Sequence, residues 1–146
     1  MDQWVRRTAR QQDRAGGCAV HVCVREEGEL VGFFTLTSVE IRGETVAKRA
    51  SSGMTVVPAT LIGRMALDAD YRGQGIGALL MLEVLLAAHR GSKYVASRLI
   101  TIDAKNDKLV ERYRELGFTP TLTDPRKLWM KMTAARATLK AEGYEL

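Results

Sequence analysis

One stretch narrows the architecture more than any other: from Leu61 to Ala104 the chain reads as strand, turn, helix and second strand. Leu61 to Leu67 is short and apolar, and Asp68 to Gln74 is a polar turn. Gly75 to His89 is a helix apolar nearly all round apart from Glu83, and Val95 to Ala104 holds a strand centred on Leu99-Ile100-Thr101-Ile102. Two strands joined by such a helix lie parallel, because the crossover returns the chain to the end where the first strand began. A helix with so little polar surface is expected to be covered on most sides.

The flanking segments add antiparallel elements. Val20, Val22 and Val24 alternate with His21, Cys23 and Arg25, a turn follows at Glu26-Glu27-Gly28-Glu29, and Leu30 to Ile41 resumes with β-branched and aromatic residues, which predicts a hairpin. Arg42 to Thr55 is polar, carries Gly43, Ser51, Ser52 and Gly53, and reads as a mobile loop ended by Val56-Val57-Pro58. Asn106 or Asp107 is placed to cap a helix running to Leu116, with Leu109, Val110, Tyr113 and Leu116 on one face and Gly117 where a left-handed terminal residue is wanted. Leu128, Met130 and Met132 alternate with Trp129 and Lys131 in a last strand. The predicted fold class is α/β (α+β): a mixed central sheet with an antiparallel N-terminal hairpin, a central strand-turn-helix-strand unit and flanking helices. With 146 residues the chain is expected to be one domain, 133–146 forming a short helical tail.

Before the hairpin, Trp4, Val5, Thr8 and Ala9 recur at helical spacing while Arg7, Arg10 and Arg14 share another face, a basic amphipathic helix over Asp2 to Arg14. Those arginines read either as a solvated face or as phosphate contacts to RNA. The net charge of +5 favours polyanionic partners. The longest apolar run, Ile76 to Ala88, is interrupted by Glu83 and falls short of the roughly 20 residues a membrane span needs. No stretch of signal-peptide type opens the chain, so no membrane partner and a cytoplasmic location are expected. Cys18 and Cys23, five residues apart on a strand, would be separated by about 16 Å, beyond disulfide reach. His21 and His89 have no neighbour at metal-ligand spacing, so no metal site is expected and both read as surface or core residues.

The chemistry is expected at Arg72-Gly73-Gln74-Gly75-Ile76-Gly77, which joins the central strand to its helix. Three glycines let the backbone approach a ligand with its N–H groups unobstructed, and a helix N-terminus adds unpaired donors and about half a positive charge, suited to a pyrophosphate. Arg72 adds a full charge. Gly73, Gly75 and Ala78 also satisfy the loose dinucleotide pattern G-x-G-x-x-A, but that motif belongs on the first strand of a doubly wound sheet with an acidic residue about 20 positions on, where this chain has Arg98. A Walker loop is excluded because no Gly-Lys-Ser/Thr follows.

Arg72 to Gly77 resembles the Q/R-x-x-G-x-G/A pyrophosphate motif of the GNAT superfamily of N-acetyltransferases. The surroundings are similar too: a strand before, an apolar helix after, then a strand and a helix ending Tyr113-Arg114-Glu115-Leu116-Gly117-Phe118. The joint pattern covers Leu30 to Met132. The resemblance implies a GNAT fold over residues 1–146 and acetyl-CoA as co-substrate, with its pyrophosphate on the amides of Arg72, Gly73, Gln74, Gly75, Ile76 and Gly77 and its pantetheine arm beside Met65, Ala66 and Leu67. Pro58 to Asp68 is similar to the proline-to-"LGRLAVD" stretch of GNAT-type toxins of toxin-antitoxin pairs, and Asp2-Gln3-Trp4-Val5 and Gly32-Phe33-Phe34-Thr35-Leu36 to their "LDxWL" and "GYYSL" segments. Such toxins acetylate the α-amine of aminoacyl-tRNA, halt translation, and are neutralised by a ribbon-helix-helix antitoxin. They generally carry another strand and helix portion before "LDxWL", so the expectation is a chain that begins late, and Arg112 stands where the family tends to have an aromatic.

The resemblance makes Tyr113 the acid that protonates the departing thiolate; the spacing of its helix alone equally permits a core tyrosine. A phenol with an ordinary pKa near 10 carries its proton at neutral pH. A backbone N–H of Met65 to Leu67 is expected to hold the developing oxyanion. No histidine or carboxylate stands out as a base, which favours an α-amine, titrating at about 7.7 to 8.0, over a lysine near 10.4. Arg7, Arg10, Arg14, Arg90 and Lys93 are candidate tRNA phosphate contacts. Two alternatives stand at this point: acetylation of a small amine or a protein N-terminus, and a non-catalytic basic module that binds nucleic acid. Whether the chain forms a homodimer is left open.

Overall fold

The computed structural model describes residues 16–73 and 75–146, so the basic helix expected over Asp2 to Arg14 lies outside the described residues. Strands β1 (Ala19–Val24), β2 (Leu30–Arg42), β3 (Val56–Leu67), β4 (Leu99–Asp103), β5 (Thr119–Pro120) and β6 (Lys127–Lys131) form a six-stranded sheet in the order β1-β2-β3-β4-β6-β5. Helices α1 (Lys48–Ser51), α2 (Ile76–Ser92), α3 (Asp107–Glu115) and α4 (Met132–Ala141) complete the description. The chain gathers into two compact units. One takes the part up to Thr37 together with Ile62–Val84; the other takes Ser38–Leu61 with Leu85–Leu146.

In the first unit the predicted hairpin is present. β1 and β2 pair antiparallel from Ala19 opposite Leu36 to Val24 opposite Leu30, with an irregularity between Cys23 and Val24. His21 faces Phe34 in that register and their rings stack at 4.7 Å, an aromatic pair of the kind that steadies a two-stranded ladder. Cys18 and Cys23 are both free thiols. The Asp68 N–H donates to the Val31 carbonyl at 2.8 Å, tying the end of β3 to the start of β2.

In the second unit β4 runs antiparallel to β6, Leu99 opposite Lys131 through Asp103 opposite Lys127, and β5 adds two residues on the far side of β6. Val46, Ala50, Val57, Ala59, Leu99 and Trp129 form a buried cluster. Two expectations are corrected here. The stretch 42–55, read as a mobile loop from its polar composition, is a 3-10 turn at Gly43–Thr45 followed by α1, and it buries Val46 and Ala50. The Arg98 guanidinium holds it by donating to the Ala50 carbonyl at 2.6 Å, while Arg49 lies 4.7 Å above the Trp129 ring. Its two apolar anchors are too few to make a periodic pattern. The central strand starts at Val56 rather than Leu61: Pro58 lacks an N–H, but its carbonyl still accepts from Arg98 N at 2.8 Å, so the ladder passes through it.

α2 buries Leu80, Met81, Val84, Leu85, Leu86 and Ala88, yet Ala78 and Leu79 in its first turn are exposed, so its cover is less complete than its composition suggested. The stretch read as a helical tail is α4, and Ala135 and Leu139 on it are fully buried. No helix among the described residues is long and apolar enough to cross a membrane.

Candidate active site

The glycine turn sits in the first unit and its lead-in is firmly built. Asp68 accepts the Asp70 N–H at 3.1 Å and so caps the 3-10 turn Ala69–Tyr71. Tyr71 is buried; its hydroxyl donates to Glu29 Oε2 at 2.9 Å and accepts from Arg25 Nη1 at 3.1 Å. Both partners belong to the β1–β2 turn, and the Arg25 guanidinium also lies 5.7 Å from the Tyr71 ring centroid. This latch fixes the chain immediately before Arg72.

After it the backbone turns twice through the left-handed region, at Gly73 and Gly75, each with φ of +77°. Side chains seldom adopt that conformation, and turns of this kind point successive N–H groups into one concavity. A methyl at either glycine would meet nothing within 4 Å among the described residues, so among them the crook is open. α2 then begins at Ile76 and runs 17 residues, presenting its unpaired first-turn donors and positive dipole end there. Arg72, Gly73 and Gly75 are exposed; Ile76 and Gly77 are half-buried, as are Met65, Ala66 and Leu67 at the end of β3. Gln74 lies outside the described residues. An open, dipole-backed crook of main-chain donors beside one arginine fits an anion such as a pyrophosphate.

Tyr113 belongs to the second unit. Asn106 caps its helix by accepting the Leu109 N–H at 2.9 Å. At the other end the Phe118 N–H donates to the Tyr113 carbonyl and the Gly117 N–H to the Arg114 carbonyl, both at 3.0 Å, with Gly117 at φ +103°. That is a Schellman corner, and its usual apolar contact is here the edge of Phe118 against the Tyr113 ring at 6.3 Å. The run Tyr113 to Phe118 is thus a helix stop in which the tyrosine is the inner anchor. Tyr113 is only 8% exposed, and burial pushes its phenol above the ordinary value while the neighbouring Arg112 charge pulls weakly the other way. It is an acid that keeps its proton at neutral pH.

Arg90 and Lys93 are exposed at the end of α2, whereas Arg7, Arg10 and Arg14 lie outside the described residues. His89 is buried with neither ring nitrogen hydrogen-bonded among the described residues, and burial, with the charges of Arg136, Lys93, Lys140 and Arg90, depresses its pKa below the ordinary 6.5. Among the described residues no cluster of three His, Cys, Asp or Glu side chains could hold a metal ion. Sequence reasoning missed the Tyr71 latch, whose partners lie 42 and 46 positions away, although an aromatic residue just before the glycines was a signal.

The profile of the Acetyltransferase (GNAT) family matches residues 2–118. The chain is 28% identical to a tRNA-acetylating toxin of Mycobacterium tuberculosis, over 95% of this chain and 84% of that protein. Among solved structures, AtaT complexed with acetyl-methionyl-tRNAfMet superposes with a TM-score of 0.84 at 20% identity, covering 94% of this chain and 84% of that one. A variant of AtaT bound to the C-terminus of the antitoxin AtaR and acetyl-CoA superposes with a TM-score of 0.79, again at 20% identity, covering 94% and 82%. With the profile spanning most of its length, the chain belongs to the acetyltransferase (GNAT) family.

Proposed function

We propose that this N-acetyltransferase moves an acetyl group from acetyl-CoA to the α-amine of aminoacyl-tRNA, and that it acts in the cytoplasm as a toxin held in check by an antitoxin. The observation that carries this reading is the likeness, along 95% of the chain, to a relative named for tRNA acetylation. The open crook at Gly73 and Gly75 supports the donor side. The antitoxin is inferred from the AtaT–AtaR complex.

Bound acetyl-CoA supplies an activated thioester. The main-chain donors from Arg72 to Gly77 hold its pyrophosphate, with the Arg72 guanidinium adding charge, and Met65, Ala66 and Leu67 flank its pantetheine arm. An N–H of that strand end hydrogen-bonds the acyl oxygen as negative charge grows on it. The Tyr113 phenol, kept protonated by burial, gives its proton to the leaving sulfur. The acceptor amine enters neutral, since an α-amine near 7.7 to 8.0 is partly deprotonated at physiological pH without a protein base; as its nitrogen bonds to the acyl carbon and the C–S bond breaks, the nitrogen releases a proton to solvent, and solvent returns one to the Tyr113 phenolate.

Purified protein incubated with labelled acetyl-CoA and an equimolar mixture of aminoacyl-tRNA, free amino acids and short peptides tests this directly. Label is expected on the aminoacyl-tRNA. Label confined to peptides or free amines, or to none of the three, overturns the acceptor assignment.

A further inference from the structure

The turn between β1 and β2 carries more order than joining two strands requires. Main-chain bonds close it: the Arg25 N–H donates to the Glu29 carbonyl at 2.9 Å and the Gly28 N–H to the Arg25 carbonyl at 2.8 Å, with Gly28 at φ +85°. That closure sets Arg25 and Glu29 beside one another, and the Tyr71 hydroxyl bridges them, donating to Glu29 Oε2 and accepting from Arg25 Nη1. Tyr71 is only 8% exposed, whereas Arg25 and Glu29 are at exposed positions. If burying a ring were all this position needed, phenylalanine would serve. The hydroxyl is instead used twice, both times in a bond to a charged group, the stronger kind.

What it steadies is the crook. Glycine is the least conformationally restricted residue, so a site turned by Gly73 and Gly75 is preformed only when the chain is held on both sides of it. α2 holds one side, from Ile76 onward. On the other, the 3-10 turn Ala69–Tyr71 leads directly into Arg72. The Asp68 N–H ties the start of that turn to the Val31 carbonyl, and the Tyr71 hydroxyl ties its end to the β1–β2 turn. All of these groups belong to the first unit. Donors already in place bind an anion more tightly than donors that must be ordered on its arrival.

We propose that Tyr71, held by Glu29 and Arg25, is a positioning residue for the donor's diphosphate. Through it the β1–β2 turn sets the preference for an acetyl thioester that carries a diphosphate over the same thioester on bare pantetheine. This rests on the assignment of the crook to the diphosphate and is independent of the acceptor. The latch acts on affinity for the donor and leaves the chemical step alone.

Calorimetry on the full chain compares acetyl-CoA binding to wild type, Tyr71→Phe, Glu29→Gln and Glu29→Ala. Tyr71→Phe keeps the buried ring and returns two exposed charges to water, so thermal melting should find the fold intact. Its Kd for acetyl-CoA is expected to rise about fivefold, the effect of one such hydrogen bond. Glu29→Gln, whose amide oxygen still accepts from the phenol, should bind much as wild type does, and Glu29→Ala should match Tyr71→Phe. Initial rates with an aminoacyl-tRNA acceptor then give kcat/KM for acetyl-CoA and for acetyl-pantetheine. KM for acetyl-CoA is expected to rise in Tyr71→Phe with kcat unchanged, while acetyl-pantetheine, which has no diphosphate to seat, is used equally well by both proteins. A general loosening of the fold would weaken both donors together, so equal losses overturn the inference. A Tyr71→Phe protein that binds acetyl-CoA as wild type does overturns it too. Wild type that binds no acetyl-CoA overturns the crook assignment and this inference with it. The expected calorimetric pattern without acetylation of any aminoacyl-tRNA overturns the acceptor reading and upholds the latch.

Discussion

Tyr113 joins two requirements in one side chain: its ring anchors the end of α3 against Phe118, and its hydroxyl is the proposed acid. Tyr113→Phe keeps the ring and the corner while removing the proton. Turnover is expected to fall on the order of a hundredfold with KM for acetyl-CoA unchanged, as steady-state kinetics will show; undiminished turnover removes Tyr113 from the mechanism. His89 gives a second residue-level prediction, for stability. Its folded pKa lies below the unfolded value of 6.5, so the unfolded chain binds the extra proton first. Stability is therefore at its full level above pH 6.5 and declines as pH falls from there toward the depressed folded value. Denaturant melts between pH 5 and 7.5 should show that slope, and His89→Leu should flatten it. The turning glycines at 73, 75 and 117 were legible in the sequence because each sits in a local pattern, whereas the proposed role of Tyr113 came from the family resemblance, its spacing equally permitting a core residue. The Tyr71 latch was not, since its partners Glu29 and Arg25 lie 42 and 46 positions away.

At the scale of elements, the strand-turn-helix-strand core was readable because its periodicities are long. The hairpin was readable because Val20, Val22 and Val24 alternate cleanly with polar residues. Shorter pieces escaped. α1 spans four residues and β5 two, below any window in which a period can be counted, and Pro58 concealed the first residues of β3. The turn between β3 and α2 invites a direct experiment. In Gly73→Ala the new methyl meets no atom within 4 Å among the described residues, so the cost expected for the folded state is the strain of a positive φ, about 1–2 kcal/mol. The same substitution disfavours the positive φ on which the shape of the crook depends. Calorimetry should find acetyl-CoA binding weakened by tenfold or more while the melting temperature drops only a few degrees; equal affinity in the variant would mean the diphosphate lies elsewhere.

For the molecule as a whole, the net charge of +5 bears on its traffic with a polyanion. If tRNA is the acceptor, its KM should rise steeply as salt goes from about 50 to 200 mM, through loss of counterion release. A flat response in initial-rate assays would argue for an uncharged acceptor. The sheet order and the division into two units lay beyond sequence reading, because both depend on which strands become neighbours after the chain has doubled back. That division also constrains biosynthesis. Each unit is assembled from two stretches separated in the chain, and the second closes over Ala135 and Leu139, which are made after every strand of the sheet. A nascent chain cut short before α4 has no finished second unit around Tyr113, so an enzyme whose proposed target is the translation machinery stays incomplete until α4 has been translated.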